Sequence, residues 1–257
     1  MSQITTEITS SKIPSDNPIH QRLLFAYEAA KGIVSGNILE VGCGEGRGME
    51  TLSPYCSSYT AIDKNRALLD QLALKYPSFR FIETNVPPFL DIQSNQFDVV
   101  IAFQVIEHIR SDEFFVKEIQ RVLKTGGKAI IATPNSALTL TRNPWHEREY
   151  TSSQLQILLN KFFRHVDVKG ITGNRKVFDY FDLNRKAVKD IASWDVLDLQ
   201  NRLPASWLRV PYDILNRMNR NRMLRSNSNL VSDIDVNDFS LSTNTDFCFD
   251  LFFVATK

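Results

Sequence analysis

Three short stretches concentrate the residues that could do chemistry. In the first, residues 38–48 (ILEVGCGEGRG), an apolar run enters a turn with Gly42, Gly44, Gly46 and Gly48 at every second position. Glycine permits positive φ and lets a ligand approach the backbone where a Cβ would otherwise stand. A second apolar run ends downstream at Asp63, an acid placed to take both ribose hydroxyls of an adenosine. The dinucleotide pattern GxGxxG would need glycine at Arg47 or Met49, so a pyrophosphate cradle is disfavoured. An adenosine joined to a small amino acid fits better. The second stretch is Glu107-His108, which invites a general-base reading because histidine titrates near neutral pH. The third, NPWHEREYT at 143–151, gathers Trp145, His146, Glu147, Arg148, Glu149 and Tyr150. Loops that display such side chains from a rigid scaffold are natural binding elements. His146 or Arg148 is expected to contact a substrate or shape a lid, with Trp145 and Tyr150 beside them. The alternative is an exposed loop that caps the next helix, with Glu149 pairing locally.

Regular elements must position these stretches. Apolar residues at helical spacing over 18–34 (Leu23, Leu24, Tyr27, Ala30) predict an amphipathic helix. From residue 37 the rhythm changes to short apolar runs: NILEVG, SYTAID, FRFIET, FDVVIAF and GKAIIATP. Helical stretches at 65–76 and 111–124 lie between them, and another is expected at 152–163 with Thr151 as N-cap. HVDVKGI then reads as a strand, and FCFDLFFVATK as a final one. Such alternation predicts an α/β fold, a mostly parallel sheet covered on both faces, with ligands at the carboxyl ends of the strands.

The bulk numbers narrow the function classes. With 30 basic and 29 acidic side chains, the chain has no electrostatic footprint of nucleic-acid size, and no nucleic-acid partner is expected. Cys43, Cys56 and Cys248 are odd in number and show no CxxC spacing, so neither a disulfide framework nor a metal site is expected. Residues 1–17 lack the apolar core of a signal peptide and read as a flexible leader; the expectation is a cytoplasmic protein.

Taken in order, the motifs resemble those of the class I SAM-dependent methyltransferases, within the small-molecule, ubiquinone-biosynthesis-like group. LEVGCGEGRG resembles the first motif, AID the second, ETNVPP the third, FDVVIAFQVIEHI the fourth and VLKTGGKAIIATPN the fifth. The resemblance implies a Rossmann-like seven-stranded sheet of order 3-2-1-4-5-7-6, with only the last strand antiparallel, and S-adenosyl-L-methionine (SAM) as cofactor. It implies that Glu40, Gly42, Cys43 and Gly44 border the methionine end of SAM, with Gln104 close by. Asp63 should hold the ribose and Lys64 should lie beside the adenine. Asn85 stands where the family usually has an aspartate near the adenine amino group; an amide oxygen can accept the same bond. The pair EH recurs across methyltransferases of varied chemistry, so His108 has a packing role as an alternative to proton abstraction.

The domain is expected to span 18–257, with a substrate-side insertion or lid at about 172–246. Within it, residues 202–225 hold six arginines and one acid, Asp213, interleaved with apolar side chains. This stretch reads either as a lid helix packed on the domain or as a peripheral contact with an anionic membrane. Pro204 and Pro211 argue against one continuous helix. The expected function is methyl transfer from SAM to an oxygen, nitrogen or carbon of a small molecule, sugar or lipid-linked intermediate. The alternative is a methyltransferase-like SAM-binding protein serving as a non-catalytic partner subunit.

Overall fold

Strands form where apolar, β-branched runs are bounded by turn residues. In the computed structural model, which describes residues 9–10, 12–195 and 198–257, these are β1 (Asn37–Val41), β2 (Ser58–Asp63), β3 (Arg80–Glu83), β4 (Phe97–Phe103), β5 (Leu123–Pro134), β6 (His165–Gly173), β7 (Phe239–Ser242) and β8 (Asp250–Thr256). The helices are α1 (Asn17–Ala30), α2 (Met49–Leu52), α3 (Arg66–Lys75), α4 (Asp112–Val122), α5 (Ser152–Asn160), α6 (Arg175–Ala192), α7 (Leu199–Arg202), α8 (Ala205–Ser226) and α9 (Ser228–Asp233).

The strands make one sheet of order β3-β2-β1-β4-β5-β8-β6-β7. From β3 to β6 this is the expected order. β8 takes the antiparallel place between β5 and β6. An eighth strand, β7, then pairs antiparallel with β6, through Gly173 opposite Phe239 to Gly170 opposite Ser242. Its four residues sit in a polar tract, where a run so short carries no readable period.

Neighbouring residues on a strand point to opposite faces, and the core divides accordingly. Ile38 and Phe252 join Tyr27, Met49 and Tyr59 in one apolar cluster. Leu39 and Phe253 join Phe115, Ile119 and Leu155 in the other. Both faces of the sheet are therefore buried, which is why its strands read as continuous apolar runs. The helix ends follow local chemistry. The Asn65 side chain accepts from the Leu68 amide at the start of α3, and Thr151 with Gln154 forms a reciprocal capping box on α5.

Two expectations change. Residues 205–226 form one helix despite Pro211, while Pro204 lies just outside as the N-cap. Pro211 is on the exposed face of α8, where water can take the carbonyl that loses its helical partner. Of the expected flexible leader 1–17, residues 1–8 and 11 lie outside the described residues. Of the remainder, Thr9, Ser15 and Asp16 are buried while residues 12–14 are exposed, and Arg47 donates to the carbonyl and hydroxyl of Thr9 at 2.7 and 2.8 Å. Among the described residues no helix is long and apolar enough to cross a membrane.

Candidate active site

The glycine turn leaves β1 and is tied to β2. Gly42 and Cys43 both donate to the Ile62 carbonyl, at 2.8 and 3.3 Å. Gly44 has φ +51°, and its amide donates to Oδ2 of Asp63 at 2.9 Å, while Oδ1 accepts from the Asn65 amide at 2.9 Å. A Cβ built on Gly44 meets nothing within 4 Å, so this face of the loop is open. At Gly48 a Cβ would lie 1.7 Å from the Tyr27 ring, and only glycine lets α2 start against that tyrosine. The loop borders a cleft of about 640 Å³ at the carboxyl ends of the strands. Gly42, Gly44, Asp63, Lys64, Asn85 and Gln104 all line it. Cys43 is buried at one end of the loop, and burial pushes its thiol up.

Glu40 is placed differently from expectation: it is not among the residues lining the cleft. It lies buried in β1 behind the loop, where its two oxygens accept from the hydroxyls of Tyr27 at 2.8 Å and Tyr59 at 2.6 Å. Burial raises its pKa to about 7, against the pull of the two tyrosine bonds.

Gln104, the residue after β4, has φ +57°, a conformation that costs a non-glycine residue about 1 kcal/mol or more. Its amide is fixed to the Ala132 carbonyl at 2.8 Å, and its side chain donates to Oδ1 of Asp250 at 3.4 Å. Asp250 is itself fully buried and forms an ion pair with Arg22 of α1 at 3.1 Å. Burial raises the Asp250 pKa, and Arg22 opposes the rise.

The 143–151 loop hangs from the backbone beside His108, with the amides of Glu147 and Arg148 donating to the Glu107 carbonyl at 2.8 and 3.3 Å. His108 Nδ1 lies 2.9 Å from the Trp145 carbonyl and donates to it, since a carbonyl only accepts. His146 Nδ1 likewise donates to Glu149 at 2.6 Å, and Asn143 donates to Nε2 at 2.8 Å. Burial pushes the Glu149 carboxyl up, but bonds from His146 and Thr139 outweigh it and leave the pKa below the ordinary value. The two histidine rings meet edge to face, 4.9 Å apart, and both line the cleft with Trp145. Trp145 Nε1 donates to Asp213 of α8 at 3.3 Å, and the Arg209 guanidinium stacks over the indole.

Arg148 and Tyr150, expected to touch substrate, are not among the residues lining the cleft. Arg148 binds the carbonyls of Ile109 and Arg110 and pairs with Asp112 at 2.7 Å, and the Tyr150 hydroxyl donates to that same aspartate at 2.8 Å. They clamp the loop to the start of α4.

Glu107, read in the sequence only beside His108, takes a place that its position in the chain does not indicate. Buried Glu107 accepts from Thr133 at 2.8 Å, its pKa raised to about 7 by burial. It brings a ligand atom within 4.8 Å of those of His108 and His146, a grouping that could hold a cation and that chain spacing does not announce. Tyr180 and Phe181 of α6 and Tyr212, Asn216 and Arg220 of α8 also line the cleft. Buried Asp16 ties α8 to the segment before α1 by ion pairs with Arg217 at 2.7 Å and Arg220 at 3.0 Å.

These groups fit SAM. A carboxylate has about four acceptor positions, so Asp63 retains capacity for ribose hydroxyls after taking two backbone amides. The open face of Gly44 admits a ligand against the backbone, and Leu68 and Val86 supply apolar wall beside Asn85.

Comparison with known proteins agrees with the geometry. Residues 39–131 match a methyltransferase-domain family. A protein of Mycobacterium tuberculosis named as a probable S-adenosylmethionine-dependent methyltransferase is 30% identical over 163 residues, covering 61% of this chain and 59% of that protein. The mitochondrial ubiquinone biosynthesis O-methyltransferase of Dictyostelium discoideum is 26% identical, over 82% of this chain and 63% of that one. The chain thus spans about three-fifths of the length of these curated relatives. The solved structure of a SAM-dependent methyltransferase from Archaeoglobus fulgidus shares the fold, with a TM-score of 0.52, 14% identity and 93% of each chain covered. Several nucleotide-binding families share a sheet whose first strand ends in a glycine turn; these matches decide among them, and residues 39–131 of the chain are similar to the methyltransferase domain of SAM-dependent methyltransferases, whose cofactor is S-adenosyl-L-methionine.

Proposed function

We propose that this chain transfers the methyl group of SAM to a hydroxyl oxygen of a small-molecule acceptor, a sugar or lipid-linked intermediate included, with His146 taking the hydroxyl proton. The observation that carries this reading is the His146–Glu149 pair on the wall of the cleft that Gly44 and Asp63 also border. When bound, SAM supplies a methyl group already electrophilic on a sulfonium. The residues of the chain then have three tasks. Asp63, Lys64 and Asn85 hold the nucleoside end. Gln104, fixed by Asp250 and its backbone bond, shapes the wall near the glycine turn. His146 meets the acceptor, because a hydroxyl, unlike a neutral amine, keeps its proton at neutral pH and needs a base. Donation from Nδ1 to Glu149 places the lone pair on Nε2, and the Asn143 amide occupies the direction from which an acceptor O–H would approach. A carboxylate with a depressed pKa stays charged at neutral pH and favours the imidazolium formed by proton uptake. The name of the Dictyostelium relative, an O-methyltransferase, supports the oxygen assignment.

The test is a screen with methyl-labelled SAM against hydroxyl-bearing acceptors (phenols, polyols, sugars) and matched amines. Label on hydroxyl acceptors, lost in His146→Ala, supports the proposal; label on amines alone, indifferent to His146, overturns it. SAM binding without turnover on any acceptor class, with a stoichiometric partner co-purifying, would favour the non-catalytic subunit.

A further inference from the structure

Helix α8 has two different faces. At about 100° per residue, Tyr212, Asn216, Asn219 and Arg220 point together into the cleft. The opposite face repeats at i, i+3, i+7 and i+11: Trp207 (71% exposed), Val210 (67%), Ile214 (53%) and Met218 (62%). Pro211 and Leu215 widen it. Isolated exposed apolar residues are ordinary, but a helix-long stripe with a tryptophan at one end marks an interaction surface. No described residue covers it.

Charge narrows the occupant. The stripe runs on into Arg222 and Arg225, both exposed and on the same face, and exposed Arg202 precedes the helix. The one acid of α8, Asp213, is buried on the inner side against Trp145. The outer face is thus apolar and cationic, with no acidic side chain. A second copy would bring arginines and no acid. An anionic lipid surface supplies both counter-charge and an apolar layer of the right depth. A tryptophan suits the headgroup boundary, and arginine stems can lie along the apolar layer while their heads reach phosphates. Because α8 is not a membrane-crossing helix, it would lie in the surface plane.

We infer that α8 docks this domain on anionic membranes through Trp207, Val210, Ile214, Met218, Arg222 and Arg225, which sets the acceptor cleft directly beneath the lipid surface. The inference stands independently of which atom is methylated.

The test is co-sedimentation of the full chain with phosphatidylcholine vesicles containing or lacking phosphatidylglycerol, in parallel with SAM binding. Wild type should sediment with the anionic vesicles only. Ile214→Asp combined with Met218→Asp should abolish this, and Arg222→Glu with Arg225→Glu should weaken partitioning by about tenfold or more, at about 1 kcal/mol per basic residue. Unchanged SAM affinity in both variants would show that each is folded. In a Trp194→Phe background, tryptophan emission should shift to the blue on adding anionic vesicles. Wild-type protein that stays in the supernatant with anionic vesicles overturns the inference, as does sedimentation unaffected by both double variants. A concentration-dependent dimer abolished by Ile214→Asp overturns it in favour of self-association.

Discussion

The Gly44 amide and the Asp63 carboxylate, nineteen residues apart in sequence, meet at 2.9 Å across the base of the cleft. The loop after β1 and the end of β2 therefore form one unit, and the acid is oriented before any ligand arrives. Asp63→Ala removes both the ribose acceptor and the anchor of the loop. SAM affinity should fall roughly 10- to 100-fold, since hydrogen bonds to a charged group contribute about 1.5–3 kcal/mol. Calorimetric titration checks this, and equal affinity in the variant would remove Asp63 from the cofactor site.

For His146 and Glu149 the expected split is between turnover and binding. His146→Ala should lower kcat by about 100-fold or more, the usual contribution of a positioned base. Glu149→Gln should lower it less, because the amide can still hold the imidazole ring but brings no charge to it. SAM affinity should be unchanged in both. Loss of SAM binding together with turnover would mean that the pair only holds the loop.

Glu40 gives a stability prediction with a defined sign. Its carboxyl has a pKa of about 7 in the folded protein, above the ordinary carboxyl value, so the folded state binds the proton more tightly than the unfolded chain. Its contribution is complete at acid pH below the unfolded pKa and is lost as pH rises through about 7; it amounts to about 3 kcal/mol at most. Buried Glu107 acts in the same direction. Thermal unfolding of the apo protein should therefore show Tm falling from pH 5 to pH 8, with a shallower slope in Glu40→Gln. Equal slopes would show that the Glu40 carboxyl titrates as an ordinary one.

Asp16 is fully buried between Arg217 and Arg220. Asp16→Ala leaves two mostly buried cations without their counter-ion, at a cost of about 3–5 kcal/mol. Limited proteolysis should then cut first around α7 and α8, while β1 to β5 remain protected. Wild-type resistance in this variant would mean that α8 is held without the Asp16 ion pairs.

Much of this was legible in the chain because the signals were local. The strands β1, β2, β4 and β5, the capping of α5 by Thr151 and the turn at Gly42–Gly44 each follow from residues within one or two turns of each other. What was not legible depends on distant partners. β7 exists because β6 offers it an edge. α8 continues through Pro211 because the lost bond faces outward, while Asp16 and Asp213 hold the inner side. The site followed the same division. Glycine turn and Asp63 were readable as a motif, whereas nothing in the sequence showed that Glu40 accepts from the hydroxyls of Tyr27 and Tyr59 behind the loop. Arg148 and Tyr150 carried the chemistry of binding residues but spend it on Asp112.

The place of β8 bears on how the protein is made. β6 and β7 can pair with one another, but only β8 joins them to β5 and the rest of the sheet. A ribosome delivers residues in chain order, so β1 to β5 can assemble while α6 to α9 are still emerging. Until Asp250–Thr256 appears, the nascent protein holds two separate patches of sheet, each with an edge of unpaired backbone groups. Chaperone demand during synthesis should thus centre on the interval between Gly173 and Asp250, the very stretch that also carries the outer stripe of α8.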